Sequence, residues 1–291
     1  MKKVFIFFYL FFLLKNSFGF NNGVNSSNLY CYLNQPDSQQ IDGIFLSSNS
    51  LDVFTGESLC FYDNVEQIHS KGTISNGLKE GEWIFWYENG IKKEEQYYLN
   101  SKLVGLKTLW YDNGQKESEI QYGDFIIGKH GKSINWSRDG YKISVANYAN
   151  NMLEGKAIVW YENGQKKYEK DFKKNLLNGK WSQWSETGEL LYEKNFLNGQ
   201  RDGKSSIYYK NGLPEEEKNY RNNQLDGKVF FWLKTGQKYL EGNYKDGQKH
   251  GDWIFWKKNG KKDQERSYQF GRLVGKTDFK YSFFTGRLKT K

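Results

Sequence analysis

Residues 155–178 read GKAIVWYENGQKKYEKDFKKNLLN. Lys156 to Tyr161 is a β-branched and aromatic run, Glu162-Asn163-Gly164-Gln165 is a turn signal, and Lys166 to Phe172 is a second run that ends on an aromatic ring. The stretch predicts a β-hairpin whose Asn163-Gly164 supplies the positive φ angles of a tight turn. Asn178-Gly179 is then expected to reverse the chain into a following unit. A lone hairpin is marginally stable in water, so this one requires neighbours.

The sequence supplies them. Glycine recurs at Gly81, Gly105, Gly131, Gly155, Gly179, Gly203, Gly227, Gly251 and Gly275, a spacing of 24 residues with a single 26. Five residues after the first eight stands an aromatic: Trp86, Trp110, Trp136, Trp160, Trp184, Tyr208, Trp232 and Trp256. Nine after comes a second glycine, from Gly90 to Gly260, and seventeen after another aromatic, from Tyr98 to Tyr268. A degenerate unit opens at Gly56, with Phe61-Tyr62-Asp63-Asn64 in place of Trp160-Tyr161-Glu162-Asn163. The last unit, from Gly275, has Tyr281 and Gly286 one and two places late, as a terminal cap would. The expected fold is all-β: an elongated array of tandem antiparallel hairpins of about 24 residues, forming a continuous twisted sheet or a solenoid. Its parts are a leader over 1–19, an amino-terminal cap over 20–55, the array over 56–274 and a terminal cap over 275–291.

Alternation along the first strand of each unit sets Ile158 with Trp160, Ile84 with Trp86 and Ile254 with Trp256, so the Trp86, Trp110, Trp136, Trp160, Trp184, Tyr208, Trp232 and Trp256 series is the expected core. The opposite face varies between units and is expected to be half wet. Rings placed there or at the turn, namely Trp83, Tyr87, Tyr111, Tyr161 and Tyr209, have two readings. They stack on a sugar or a partner with nearby lysines adding attraction, or they pack a second face.

The recurring Gly-Lys-x-x-x-Trp-Tyr-x-Asn-Gly-x-x-Lys, clearest over residues 155–167, resembles the bacterial variant of the MORN (membrane occupation and recognition nexus) repeat, over roughly residues 56–286. That resemblance implies an elongated sheet used as a contact surface, with membrane, phospholipid or protein as partner in different members and no catalytic residues. Many bacterial relatives carry the label antitoxin, which fits poorly with an exported chain.

Export is expected from the first residues. Lys2 and Lys3 precede an unbroken apolar run from Val4 to Leu14, and Ser17 and Gly19 place small residues before a cut near Phe20, as in a secretory signal peptide. The run is well short of the roughly 20 apolar residues of a spanning helix, and no later stretch would span a membrane once the leader is gone. The protein would then be periplasmic, secreted or at the cell surface. The 43 Lys and Arg against 34 Asp and Glu leave a net charge of +9, or +6 without the three lysines of the leader. Residues 20–80 carry −5 and residues 81–291 carry +11. This favours an acidic lipid, glycan or protein, or simply serves solubility on a wet sheet.

In an oxidising compartment Cys31 and Cys60 either form one bridge or remain two buried thiols. His69, His130 and His250 are scattered, so no metal cluster is expected. Gly128-Lys129-His130-Gly131-Lys132 lacks P-loop spacing, and the carboxylates Glu94-Glu95 and Glu215-Glu216-Glu217 read as solvated strand faces. Asn25 and Asn135 open glycosylation sequons. The sequence thus points to a non-enzymatic exported scaffold with no cofactor, binding a protein at the cell envelope and no nucleic acid. The alternative is a surface module for anionic phospholipid or cell-wall glycan.

Overall fold

Hairpin chemistry repeated at fixed spacing builds one antiparallel sheet. The computed structural model describes residues 29–281 apart from 34–37, 42–43, 48–51, 63–66 and 125–127. The expected leader, the Asn25 sequon, the Asp63-Asn64 turn and Gly286 lie outside the described residues. No helix occurs among the described residues. The unit that opens at Gly155 forms strands Gly155–Trp160 and Lys166–Lys173, and the next forms Leu176–Trp184 and Leu190–Leu197. Each strand pairs antiparallel with its sequence neighbours. The sheet runs from Leu29–Leu33, paired with Gly56–Tyr62, to Arg272–Asp278, paired with Gln264 and its neighbours. It stays open, and a small separate hairpin, Ser38–Ile41 with Ile44–Ser47, lies in the chain between its first two strands.

The 24-residue glycine has a clear register role. Each stands directly opposite the aromatic seventeen places on: Gly81 faces Tyr98, Gly155 faces Phe172, Gly179 faces Phe196 and Gly251 faces Tyr268. The turns differ from expectation. Asn163 keeps negative φ, and only Gly164 is left-handed at φ 82°. Tyr161 N donates to Gln165 O at 2.8 Å and Gly164 N to Tyr161 O at 3.0 Å. This is a three-residue turn with a glycine bulge, and it shifts the register at Val159/Trp160. The two-residue turns with both φ positive lie at the opposite edge, as at Asn198-Gly199 (49° and 82°) and Lys174-Asn175 (49° and 67°). Gly179 does not reverse the chain. It sits inside Leu176–Trp184 at φ 121°, where the pairing with the previous strand slips, because a bulge needs a left-handed residue.

Burial also departs from expectation. Trp86, Trp110, Trp136, Trp160, Trp184, Tyr208, Trp232 and Trp256 are all half-buried. Several of the most enclosed side chains come from the position two after the glycine, where Trp83 is 3% exposed, Trp253 2% and Val229 0%, and Ile74 (0%) and Phe54 (3%) near the amino-terminal end join them. A single-layer sheet has no opposing layer, so a ring is covered only by neighbours on its own face. Trp83 is covered because Phe54 and Ile74 join it in a cluster, flanked by Phe45, Phe85 and Tyr98. Trp83 also lies where a Cβ on Gly72 would meet the ring at 2.1 Å, and Trp253 lies on Gly242 in the same way at 2.3 Å. Cys60 is buried and disulfide-bonded. Cys31, the chain's other cysteine, stands directly across from it in the register.

Candidate functional site

Three ladders tie each hairpin to the next, and they consume most of the residues that the sequence offered as contacts. In the first, the tyrosine six places after the glycine donates its hydroxyl to the carbonyl of the next unit's aromatic. Tyr62 reaches Trp86 O at 2.8 Å, Tyr87 reaches Trp110 O at 2.8 Å, Tyr111 reaches Trp136 O at 2.9 Å, Tyr161 reaches Trp184 O at 3.0 Å and Tyr209 reaches Trp232 O at 2.7 Å. In the second, the turn asparagine accepts within its own turn and donates to the following turn. Asn163 Oδ1 takes Gln165 N at 3.0 Å while Asn163 Nδ2 gives to Glu186 O at 2.6 Å. Asn89, Asn113 and Asn211 do the same.

The third ladder is electrostatic. Lys166 pairs with Glu169 at 2.8 Å on its own strand and lies over the Trp184 ring of the next unit at 5.5 Å. Lys92 with Glu95 and Trp110, Lys116 with Glu119 and Trp136, and Lys238 with Glu241 and Trp256 repeat it. The aromatic five after the glycine therefore recurs as a docking face for a lysine. Part of the chain's basic charge is neutralised in place.

Of the five rings with two readings, contact or packing, Trp83 is buried in the core. Tyr87, Tyr111, Tyr161 and Tyr209 are half-buried and hydrogen-bonded across repeat junctions. They are occupied because a stacked array must satisfy the carbonyls at its bulged strand ends. Asn135 is likewise inside a strand, its Nδ2 bonded to Ser144 Oγ at 2.8 Å.

Where the tyrosine is missing, the ladder stops. The sixth position is Ser137, Ser185, Leu233 and Lys257 in four units; the first three stand 48 residues apart, and the asparagine is missing from the same three turns (Asp139, Thr187 and Thr235). The spacing of these breaks was visible in the sequence, but without the ladder nothing marked them as special. At the first break Ser137 turns inward and accepts Tyr141 N at 3.1 Å. A groove of about 710 Å³ opens there, lined by Ser137, Tyr141, Ile143, Trp160, Tyr161 and Lys167 among others. Its rim carries Lys142 and Lys167 beside Glu162 and Glu186. Tyr141 is 59% exposed and Ile143 41%. At the second break Ser185 and Thr187 both bond the Glu189 carboxylate, and at the third the half-buried Leu233 supplies its own bulk.

Among the described residues no group of three or more His, Cys, Asp or Glu could hold a metal. His69 is edge-on to Tyr62 and Phe85 at ring distances of 5.1 and 6.0 Å, and burial with the nearby Lys93 ammonium holds its pKa below the ordinary value. Lys79 lies over Trp83 at 4.3 Å, its pKa lowered by burial. Both are packing groups. No helix is long and apolar enough to cross a membrane among the described residues.

Fold and junctions together define a tandem β-hairpin repeat protein. The family described as MORN repeat variant matches it at residues 79–100, 103–124, 153–174, 177–198 and 201–222, so these five hairpins are MORN-variant repeats. The hairpins that open at Gly131, Gly227 and Gly251 have the same architecture in the structure without a match of their own. No curated protein matches the chain as a relative.

Proposed function

We propose that this is a non-catalytic, exported repeat scaffold that binds another protein of the cell envelope or of a host along one edge of its sheet. Repeats of this kind generally serve as protein- or lipid-binding modules. The observation that carries the protein reading is the groove at the Ser137 junction. Its lining combines the apolar Ile143, Val159 and Trp160 with charges of both signs and the exposed Tyr141. Such a mixed surface matches a polypeptide better than a uniformly anionic lipid. The lysines at positions 92, 116, 166 and 238 are also already paired with carboxylates, which leaves fewer free cations for a phospholipid surface. Export rests on the leader-like first residues and on the bonded state of Cys60.

The experiment is retention. The mature chain is immobilised, incubated with detergent-solubilised envelope of the source cells at near-physiological salt, and the retained protein and lipid are identified by mass spectrometry. A stoichiometric protein is the expected result. Lipid or wall fragments alone, released steeply by salt in the case of anionic lipid, would replace this reading with the surface-binding one.

A further inference from the structure

We infer that the groove between the Ser137 and Trp160 turns is a socket for a tyrosine side chain of the partner polypeptide. The inference rests on the protein-binding reading above and names what the site recognises. Its ground is the ladder itself. At five junctions a phenol fills the space between consecutive turns and donates to a tryptophan carbonyl at 2.7 to 3.0 Å. At the Ser137 junction the backbone repeats, the tryptophan and its carbonyl repeat, and the next ladder tyrosine, Tyr161, stands in its usual place. The missing piece is the phenol. The lining residues Ser137, Ile143, Val159, Trp160 and Tyr161 enclose the space that a tyrosine at position 137 would enter.

The surroundings suit a visiting ring better than a native one. In two of the laddered units a lysine from the following strand lies beside the tyrosine: Lys93 is over the Tyr87 ring at 5.4 Å and Lys167 over Tyr161 at 5.2 Å. The equivalent residue here is Ile143, which offers an apolar wall to an incoming aromatic face. Lys142 lies 5.9 Å from the Trp160 ring, so the floor is already stiffened by a cation. The groove volume of about 710 Å³ exceeds what one side chain fills, which leaves room for the backbone on either side of the tyrosine. A phenol would contribute ring burial and one hydrogen bond to the Trp160 carbonyl. A phenylalanine would keep the first and lose the second.

Ligand-observed NMR with the full mature chain tests this using three probes: N-acetyl-tyrosinamide, N-acetyl-phenylalaninamide and N-acetyl-alaninamide. Saturation transfer to the tyrosine probe is expected, several-fold weaker for the phenylalanine probe and none for the alanine probe. Ser137→Tyr places the chain's own phenol in the socket and should abolish transfer, with a circular-dichroism spectrum unchanged and a Tm equal or higher. Tyr141→Ala, at an exposed position, is a second variant that leaves the fold intact and should reduce transfer by removing one wall. No transfer at millimolar probe, or equal transfer to wild type and to folded Ser137→Tyr, overturns the socket. The failures separate cleanly. A protein retained equally by wild type and Ser137→Tyr keeps the scaffold reading and rejects the socket, whereas tyrosine binding with no protein retained from envelope rejects the scaffold reading alone.

Discussion

Trp83 and Trp160 are three places apart in the repeat, and their surroundings set different costs for losing them. Trp83 is 3% exposed within the Phe54 and Ile74 cluster, so Trp83→Ala is expected to cost about 3 to 5 kcal/mol. Trp160 is half-buried beneath Lys142, and Trp160→Ala should cost roughly half as much. Urea denaturation of both variants checks the order, and equal costs would return Trp160 to the core. The sequence misled here for a physical reason. Recurrence was read as burial, but in five units the recurring ring is a docking face for a lysine of the preceding hairpin, while the buried position varies among Trp83, Ser133, Val229 and Trp253. His69 adds a pH dependence at the same scale. Its folded pKa lies below the ordinary 6.5, so its stabilising contribution is present above that value and is lost as pH falls through the folded value. His69→Phe should flatten stability between about pH 7 and the folded pKa, and an unchanged pH profile would show that His69 is not the group responsible.

Single hairpins pack by size complementarity along the array. Trp253 lies on Gly242 of the preceding hairpin, and a Cβ there would meet the ring at 2.3 Å. Gly242→Ala should therefore destabilise by about 1 to 3 kcal/mol through forced movement of the ring, read by thermal unfolding together with a change in Trp fluorescence. Its effect should vanish in a Trp253→Val background, since the clash has gone. At the element scale the sequence was largely legible. Glycine and aromatic spacing fixed strand lengths and register, as the pairing of Gly155 with Phe172 confirms. The turn types were legible only in part. Asn-Gly suits both a two-residue turn and a bulged three-residue turn, and the turns at Asp139, Thr187 and Thr235 close in the same bulged form without the asparagine, so the Asn-Gly pair alone does not set the choice.

Across the whole molecule, each repeat touches only its neighbours, so stability is a chain of junction terms. The junctions are unequal. Those led by Tyr62, Tyr87, Tyr111, Tyr161 and Tyr209 carry a side-chain bond to the next tryptophan carbonyl, and those led by Ser137, Ser185 and Leu233 do not. Such breaks 48 residues apart span four strands, or about 19 Å along the sheet. The uninterrupted stretch from Tyr62 to Trp136 should open as one unit, with the first weak joint at Ser137 and Trp160. Removing one ladder bond by Tyr111→Phe is expected to cost about 0.5 to 1.5 kcal/mol. More tellingly, it should extend that weak joint one repeat toward the amino terminus. Native-state hydrogen exchange followed by mass spectrometry reads this directly: protection in Lys102–Trp110 and Lys116–Tyr122 should fall toward that of Lys142–Ala149, while protection in Leu78–Trp86 is retained. A uniform loss across the sheet would mean that the array unfolds all or none, and that the phenol ladder sets its strength without dividing it.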